Sequence, residues 1–149
     1  MSLAVHSKAH HLYAITQTYL AGIVLTGAEV KSLRRGAASL VGSFVKPLAG
    51  ELYLINAQIT PYAAANNDKY DPRANRKLLM RKKEIYRLLE SVQVKGMSLI
   101  PLSFELINNH IKLKIGLGKG KKEYEKRQTL KDRAIDRSLA RRVKQQYNA

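Results

Sequence analysis

A chain of 149 residues, 45% of them hydrophobic, fits one domain with a real core and excludes wholesale disorder. Its 27 Lys and Arg against 11 Asp and Glu give a net charge of +16, a field that attracts polyanions and points to a nucleic-acid partner. The absence of cysteine excludes disulfides, thiolate metal sites and thiol nucleophiles.

Tyr13 to Leu25 is rich in Thr, Tyr, Ile and Val and reads as a strand, with Gly22 as a bend or bulge. Thr26 and Glu29 then have capping-box spacing, so a short helix is expected to bury Val30 and Leu33 and to stop at Gly36. Two strands follow, Ser43 to Leu48 and Leu52 to Ile59, joined by a tight turn at Ala49-Gly50. Ala63 to Asn75 carries Asn66-Asn67-Asp68 and Asp71-Pro72 and reads as an exposed loop.

The spacing of Leu78, Ile85, Leu89 and Val92 predicts a helix over Arg76 to Val94, closed by Gly96. That would crowd Arg76, Lys77, Arg81, Lys82 and Lys83 into its first two turns, where cations oppose the helix dipole and an anionic partner would explain them. Leu99 to Gly116 is the best hairpin. Leu102, Phe104 and Leu106 alternate with polar residues, as do Ile111, Leu113 and Ile115, and Asn108-Asn109 forms the turn. One face is core and the other carries lysines.

From Lys119 to Ala149, eleven Lys or Arg stand against four acidic residues, and apolar residues are sparse. Ile135, Leu139, Val143 and Tyr147 fall on one helical stripe; Arg133, Arg137, Arg141 and Lys144 fall roughly opposite. Such a tail has too little apolar area to fold alone but can become a helix along RNA. The expected architecture is therefore α+β and mainly β: a small barrel of the oligonucleotide-binding type over 1–118, with flanking helices and a basic tail over 119–149.

Chemistry has little to stand on. Adjacent His10 and His11 diverge and make a poor metal pair, Glu29 is accounted for by the capping box, and no phosphate-binding loop or nucleophile elbow occurs. No catalytic residue, metal or cofactor is expected. Tyr13, Tyr19, Tyr53 and Tyr62 can either stack bases or sit half-buried at a barrel rim. The longest apolar run, Leu20 to Leu25, is far short of the ~20 residues that span a bilayer. Met1 to Ala9 has no signal-peptide character, so a soluble cytoplasmic protein with no membrane partner is expected.

Several blocks together resemble one family. Ala21-Gly22-Ile23-Val24-Leu25-Thr26-Gly27 with Glu29-Val30-Lys31-Ser32-Leu33-Arg34 is followed by Tyr53-Leu54-Ile55-Asn56, Pro61-Tyr62 and Asp71-Pro72-Arg73. Arg76-Lys77-Leu78-Leu79, Lys114-Ile115-Gly116-Leu117 and Lys119-Gly120-Lys121-Lys122 complete the series. In this order and spacing they resemble the small protein B (SmpB, SsrA-binding protein) family. The resemblance implies a non-catalytic partner of transfer-messenger RNA in trans-translation, one protein copy per RNA, that binds the RNA's tRNA-like domain. It further implies docking at the small-subunit decoding centre of a stalled ribosome, with the basic tail helical in the empty mRNA channel and against ribosomal RNA.

By the same resemblance the RNA-facing positions are Lys8, Ala9, His11, Tyr13, Lys31, Arg34, Arg76, Lys77, Leu79, Lys119, Lys121 and Lys122. Those of the tail are Lys126, Arg127, Lys131, Arg133, Arg137 and Arg141. Lys31 and Arg34 are as readily solvated as bound. The chain departs from the family pattern at His6 (usually Asn), Leu20 (Glu), Gly118 (Ala) and Glu125 (Asp). A ribosomal protein with a similar barrel would present comparable basic surfaces, and an RNA-processing enzyme would need an acid–base pair or metal site.

Overall fold

The computed structural model describes residues 1–65 and 68–121. Its elements run β1 (Ser2–Val5), α1 (Ala9–Leu12), β2 (Tyr13–Ile23), α2 (Gly27–Arg34), β3 (Ala38–Ser39), β4 (Phe44–Leu48), β5 (Glu51–Ile55) and β6 (Gln58–Ile59). They end with β7 (Arg76–Leu79), α3 (Lys82–Val94), β8 (Ser98–Ile107) and β9 (His110–Gly120). Seven strands form one antiparallel sheet in the order β1-β8-β9-β2-β7-β5-β4, and β3 pairs with β6 separately. The sheet coils until β4 packs against β8, giving the oligonucleotide-binding type of barrel with helices on its flanks.

Turn chemistry sets the registers. Ala49 and Gly50 both have positive φ (51° and 78°) between β4 and β5, as do Asn108 and Asn109 (49° and 65°) between β8 and β9. Two left-handed residues in succession match the natural twist of a hairpin. Alternation then sends Phe104, Leu113 and Ile115 inward, where they meet Leu33 of α2, Ile85 and Leu88 of α3, and Leu52, Leu54 and Leu78. Full burial of one such leucine contributes about 1.5–3 kcal/mol. A second, smaller cluster joins Ala9, Ile100 and Leu102 with Tyr13 and Ile15, so α1 is seated on the far end of β2 and β8.

The capping box forms as expected: the Thr26 hydroxyl accepts from Glu29 N–H (3.2 Å) and Glu29 Oε1 accepts from Thr26 N–H (3.0 Å). At the other end of α2, Gly36 sits at φ 71°, its N–H donates to Leu33, and Ala37 N–H donates to Ser32, the paired bonds of a Schellman ending.

Three expectations need correction. The helix predicted over Arg76 to Val94 is a strand followed by a helix: β7 takes Arg76–Leu79, and α3 begins at Lys82 behind Arg81. Arg76 and Lys77 are therefore not first-turn cations, and the helix-dipole argument holds only for Arg81 at the N-cap, Lys82 and Lys83. The strand predicted over Leu52 to Ile59 breaks at Asn56, which is left-handed (φ 63°) and donates through Nδ2 to Gly42 (3.1 Å); Ile59 passes to β6. β1, α1 and β3 were not expected; each is four residues or shorter. β9 runs on to Gly120, beyond the expected domain boundary at Gly118. Lys122 and the tail positions Lys126, Arg127, Lys131, Arg133, Arg137 and Arg141 lie outside the described residues.

Candidate nucleic-acid interface

Three groups of accessible basic residues hold most of the expected RNA-facing positions, and Arg81, Lys82, Lys83 and Arg87 are exposed besides them. The first is the corner where β9 leaves the sheet beside α1. Lys8 is exposed just before the helix, Lys119 is exposed opposite Ala14, and the Lys121 ammonium donates to the carbonyl of His10 (2.6 Å). Lys121 N–H also donates to Leu12 (2.8 Å), so chain start and β9 exit are tied together. His11 is half-buried, and its Nδ1 is buried without a hydrogen-bond partner. Tyr13 is half-buried in the small cluster under α1, and Ala9, fully buried there, presents nothing to a partner.

The second group lies on the outer face of the sheet. Lys46, Tyr53 and Lys77 form one row across β4, β5 and β7. Beside it, Leu79 opposes Gly22, and Gly22 opposes Lys112; Leu20 opposes Lys114. Leu20, Val24 and Leu79 remain 48%, 53% and 53% exposed, so a band of apolar side chains is flanked by lysines. That mixture suits an RNA backbone with a sugar or base edge against it, since lysines neutralise phosphates while apolar contacts follow shape. Gly22 has a local reason: a Cβ there would meet the Leu79 Cβ at 3.1 Å. Lys112 and Lys114 were legible as the polar face of the hairpin but were not singled out.

The third group is α2, with Lys31 and Arg34 exposed in its last turn and Arg35 at its end. Lys31 Nζ lies 5.4 Å and the Arg35 guanidinium carbon 4.8 Å from the centroid of the Tyr62 ring.

Arg76 belongs to none of these groups, which corrects its expected place on the RNA-facing surface. It is 3% exposed, and all five guanidinium N–H groups are spent inside the protein. Nε donates to Glu29 Oε2 (2.7 Å), Nη1 to the carbonyls of Ala57 (2.8 Å) and Ala74 (3.1 Å), and Nη2 to Pro72 (3.0 Å) and the Tyr70 hydroxyl (3.4 Å). The Tyr70 hydroxyl in turn donates to Ile59 (2.9 Å). Burial, reinforced by the Glu29 charge, pushes the Tyr70 phenol above its ordinary value. Glu29 is thus more than a cap: it ties α2 to β7 and to the loop before it. Arg76 acts on the exposed surface only by fixing β7, and so by setting Lys77 and Leu79 in place.

A family model described as SmpB protein matches residues 3–145. The SsrA-binding protein of Staphylococcus saprophyticus is 45% identical over 146 residues, 98% of this chain and 95% of its own length. That of Staphylococcus aureus strain JH1 matches to the same extent. The chain belongs to the SmpB family. A solved structure described as "tmRNA-SmpB: a journey to the center of the bacterial ribosome" is similar at 47% identity and a TM-score of 0.64, covering 89% of this chain and 93% of that one. The family fold is the one described above.

Of the expected departures from the family pattern, His6, Leu20 and Gly118 lie among the described residues and Glu125 lies outside them. His6 is buried, its Nδ1 3.1 Å from the Pro101 carbonyl and its N–H donated to Leu102 (2.7 Å), so it pins β1 rather than facing outward. Leu20 is outward-facing and enlarges the apolar band. Gly118 crosses β2 so closely that a Cβ would overlap the Ala14 carbonyl oxygen. Among the described residues no three His, Asp or Glu side chains come together as a metal site, and no helix is long and apolar enough to cross a membrane.

Proposed function

We propose that this chain is an RNA-binding factor of trans-translation. It binds the tRNA-like domain of transfer-messenger RNA and accompanies it to stalled ribosomes, so that the nascent peptide is tagged and the ribosome released. The observation that carries this reading is the family match over residues 3–145, nearly the whole chain. The lysine-flanked band of Leu20, Val24 and Leu79, with Lys77 and Lys112, supplies the RNA-facing surface. Lys8, His11 and Lys119 add a second contact at the β9 corner, at the other end of β2, with Lys122 next in the sequence, and Lys31 and Arg34 add a third on α2.

The protein acts by shape and charge and catalyses nothing; it works in the cytoplasm as one copy per RNA. The barrel domain, placed at 1–118 from the sequence, is carried by β9 to Gly120, and the basic tail, placed at 119–149, follows it. The tail's Lys126, Arg127, Lys131, Arg133, Arg137 and Arg141 face ribosomal RNA in the empty mRNA channel near the decoding centre.

The test is competition, at near-physiological salt, between the tRNA-like domain and an ordinary elongator tRNA. Clear preference for the former is expected; equal and steeply salt-dependent binding to both would reduce the surface to a generic basic one. Truncation after Lys121 keeps most of that binding and abolishes tagging on stalled ribosomes. Undiminished tagging would remove the role assigned to the tail.

A further inference from the structure

Tyr62 was open to reading as a base-stacking ring, but its ring is held by protein cations. Lys31 and Arg35 both lie over it, at 5.4 and 4.8 Å, and the Arg35 Nη2 reaches the phenol oxygen at 3.5 Å. The fold registers this ring against α2 twice. The Ser32 hydroxyl donates to Thr60 (2.7 Å), and Thr60 N–H donates to Ala37 (3.0 Å), two residues ahead of Tyr62 and just past the helix end. The β3–β6 pairing of Ala38 with Ile59 extends the same registration.

The arrangement gathers positive charge instead of spreading it. Lys31 and Arg35 are four apart on one helical face, a like-charge spacing that is unfavourable by itself, and Arg34 stands beside them. The helix dipole favours cations at this end but gives no reason to draw two of them onto one ring. Among the described residues the ion pairs are Met1 with Glu105 and Arg76 with Glu29, neither of which involves these cations. A bound anion would turn the repulsion into bidentate attraction.

We propose that Tyr62 is a positioning residue that gathers Lys31 and Arg35 into a two-pronged clamp for a backbone phosphate of RNA. This deepens the RNA-binding reading above and rests on it. The phosphate belongs either to the tRNA-like domain or to ribosomal RNA, and the test separates the two.

Full-length wild type, Tyr62→Leu, Tyr62→Phe, Lys31→Ala/Arg35→Ala and the triple variant are titrated against the isolated tRNA-like domain and against purified small ribosomal subunits. Tyr62→Leu is expected to weaken binding about 2- to 5-fold on the RNA that supplies the phosphate, and Tyr62→Phe, which keeps the ring, to bind as wild type does. Lys31→Ala/Arg35→Ala is expected to make the log–log salt slope shallower by about 1. With both cations gone, Tyr62→Leu should cause no further loss.

Unchanged affinity of Tyr62→Leu on both RNAs overturns the clamp. So does an equal loss with the cations present and absent, since the ring would then act independently of them. Should Tyr62→Leu melt below the assay temperature, Arg35→Lys carries the test: it keeps the charge, loses the flat stacking group, and is expected to lose the same 2- to 5-fold. Unchanged binding of Arg35→Lys then overturns the proposal. Failure of the underlying functional reading would appear separately, as wild type that does not distinguish the tRNA-like domain from elongator tRNA.

Discussion

The two sides of the barrel are held together by different physics. The β8–β9 side is an apolar laminate, with Phe104, Leu113 and Ile115 fully buried in alternation and a two-asparagine turn fixing the register. The β5–β7 side is closed by a short strand whose inward positions are Arg76 and Leu78, with Arg76 knotted to Glu29, Tyr70 and three backbone carbonyls. The first side tolerates small changes of shape as ordinary cores do. The second depends on each partner of a buried ion pair being present.

The sharpest way to break that contrast is at adjacent residues of β7. Arg76→Ala leaves the Glu29 carboxylate buried without its cation, and the expected loss is about 3–5 kcal/mol, seen as a large fall in Tm. Lys77→Ala, one residue on and exposed, is expected to change stability by less than about 0.5 kcal/mol. It should instead weaken RNA binding and make its salt slope shallower by about 1. A Tm for Arg76→Ala close to that of wild type would show that the knot adds little to the fold.

The same residues explain what could and could not be read from sequence. The hairpin, the capping box and the strand from Tyr13 were legible because each is a local pattern: a period of two, a Thr–Glu spacing, a β-branched run. β7 was not, since an inward arginine inverts the alternation that marks a strand, and Leu78 and Ile85 happen to sit seven apart, as on a helix. Arg76 itself is chemically indistinguishable from its exposed neighbours until Glu29, 47 residues earlier, is placed beside it. The site divides in the same way. Its lysines were legible as charge, whereas which of them share a face depends on strand registers that cross the whole chain.

On the apolar side, a smaller effect tests how tightly β9 is laid on β2. A Cβ at Gly118 would overlap the Ala14 carbonyl oxygen and stand 3.0 Å from the Ile15 Cα, all backbone, which cannot swing aside. At Gly116 the nearest atoms, at 3.1 Å, are the side-chain ends of Ile15 and Leu102, which can. Gly118→Ala is therefore expected to cost about 1–3 kcal/mol and Gly116→Ala less. Equal melting temperatures for the two variants would mean that the strands part readily at this crossing.

The smallest expected effect is a pH signature that differs between the sides. On the hairpin side, the hydrogen bond from Ser103 holds the Glu105 carboxyl below its usual value against a smaller opposing effect of burial; Ser2 and the N-terminal ammonium assist. A depressed carboxyl stabilises the fold above its unfolded value and loses that contribution as pH falls through the folded one. On the knotted side, the raised Tyr70 phenol works in the opposite sense: its contribution is complete below the unfolded value and is lost as pH rises through the higher folded value. Acid should thus weaken the hairpin side through Glu105, and alkali the Arg76 side through Tyr70. Ser103→Ala removes the main cause at Glu105, so its carboxyl resonance should titrate at higher pH and the acid-side decline in Tm should become shallower. Tyr70→Phe should flatten the alkaline decline and leave the acid side as it was. If Glu105 titrates unchanged in Ser103→Ala, the serine bond is not what holds that carboxyl down.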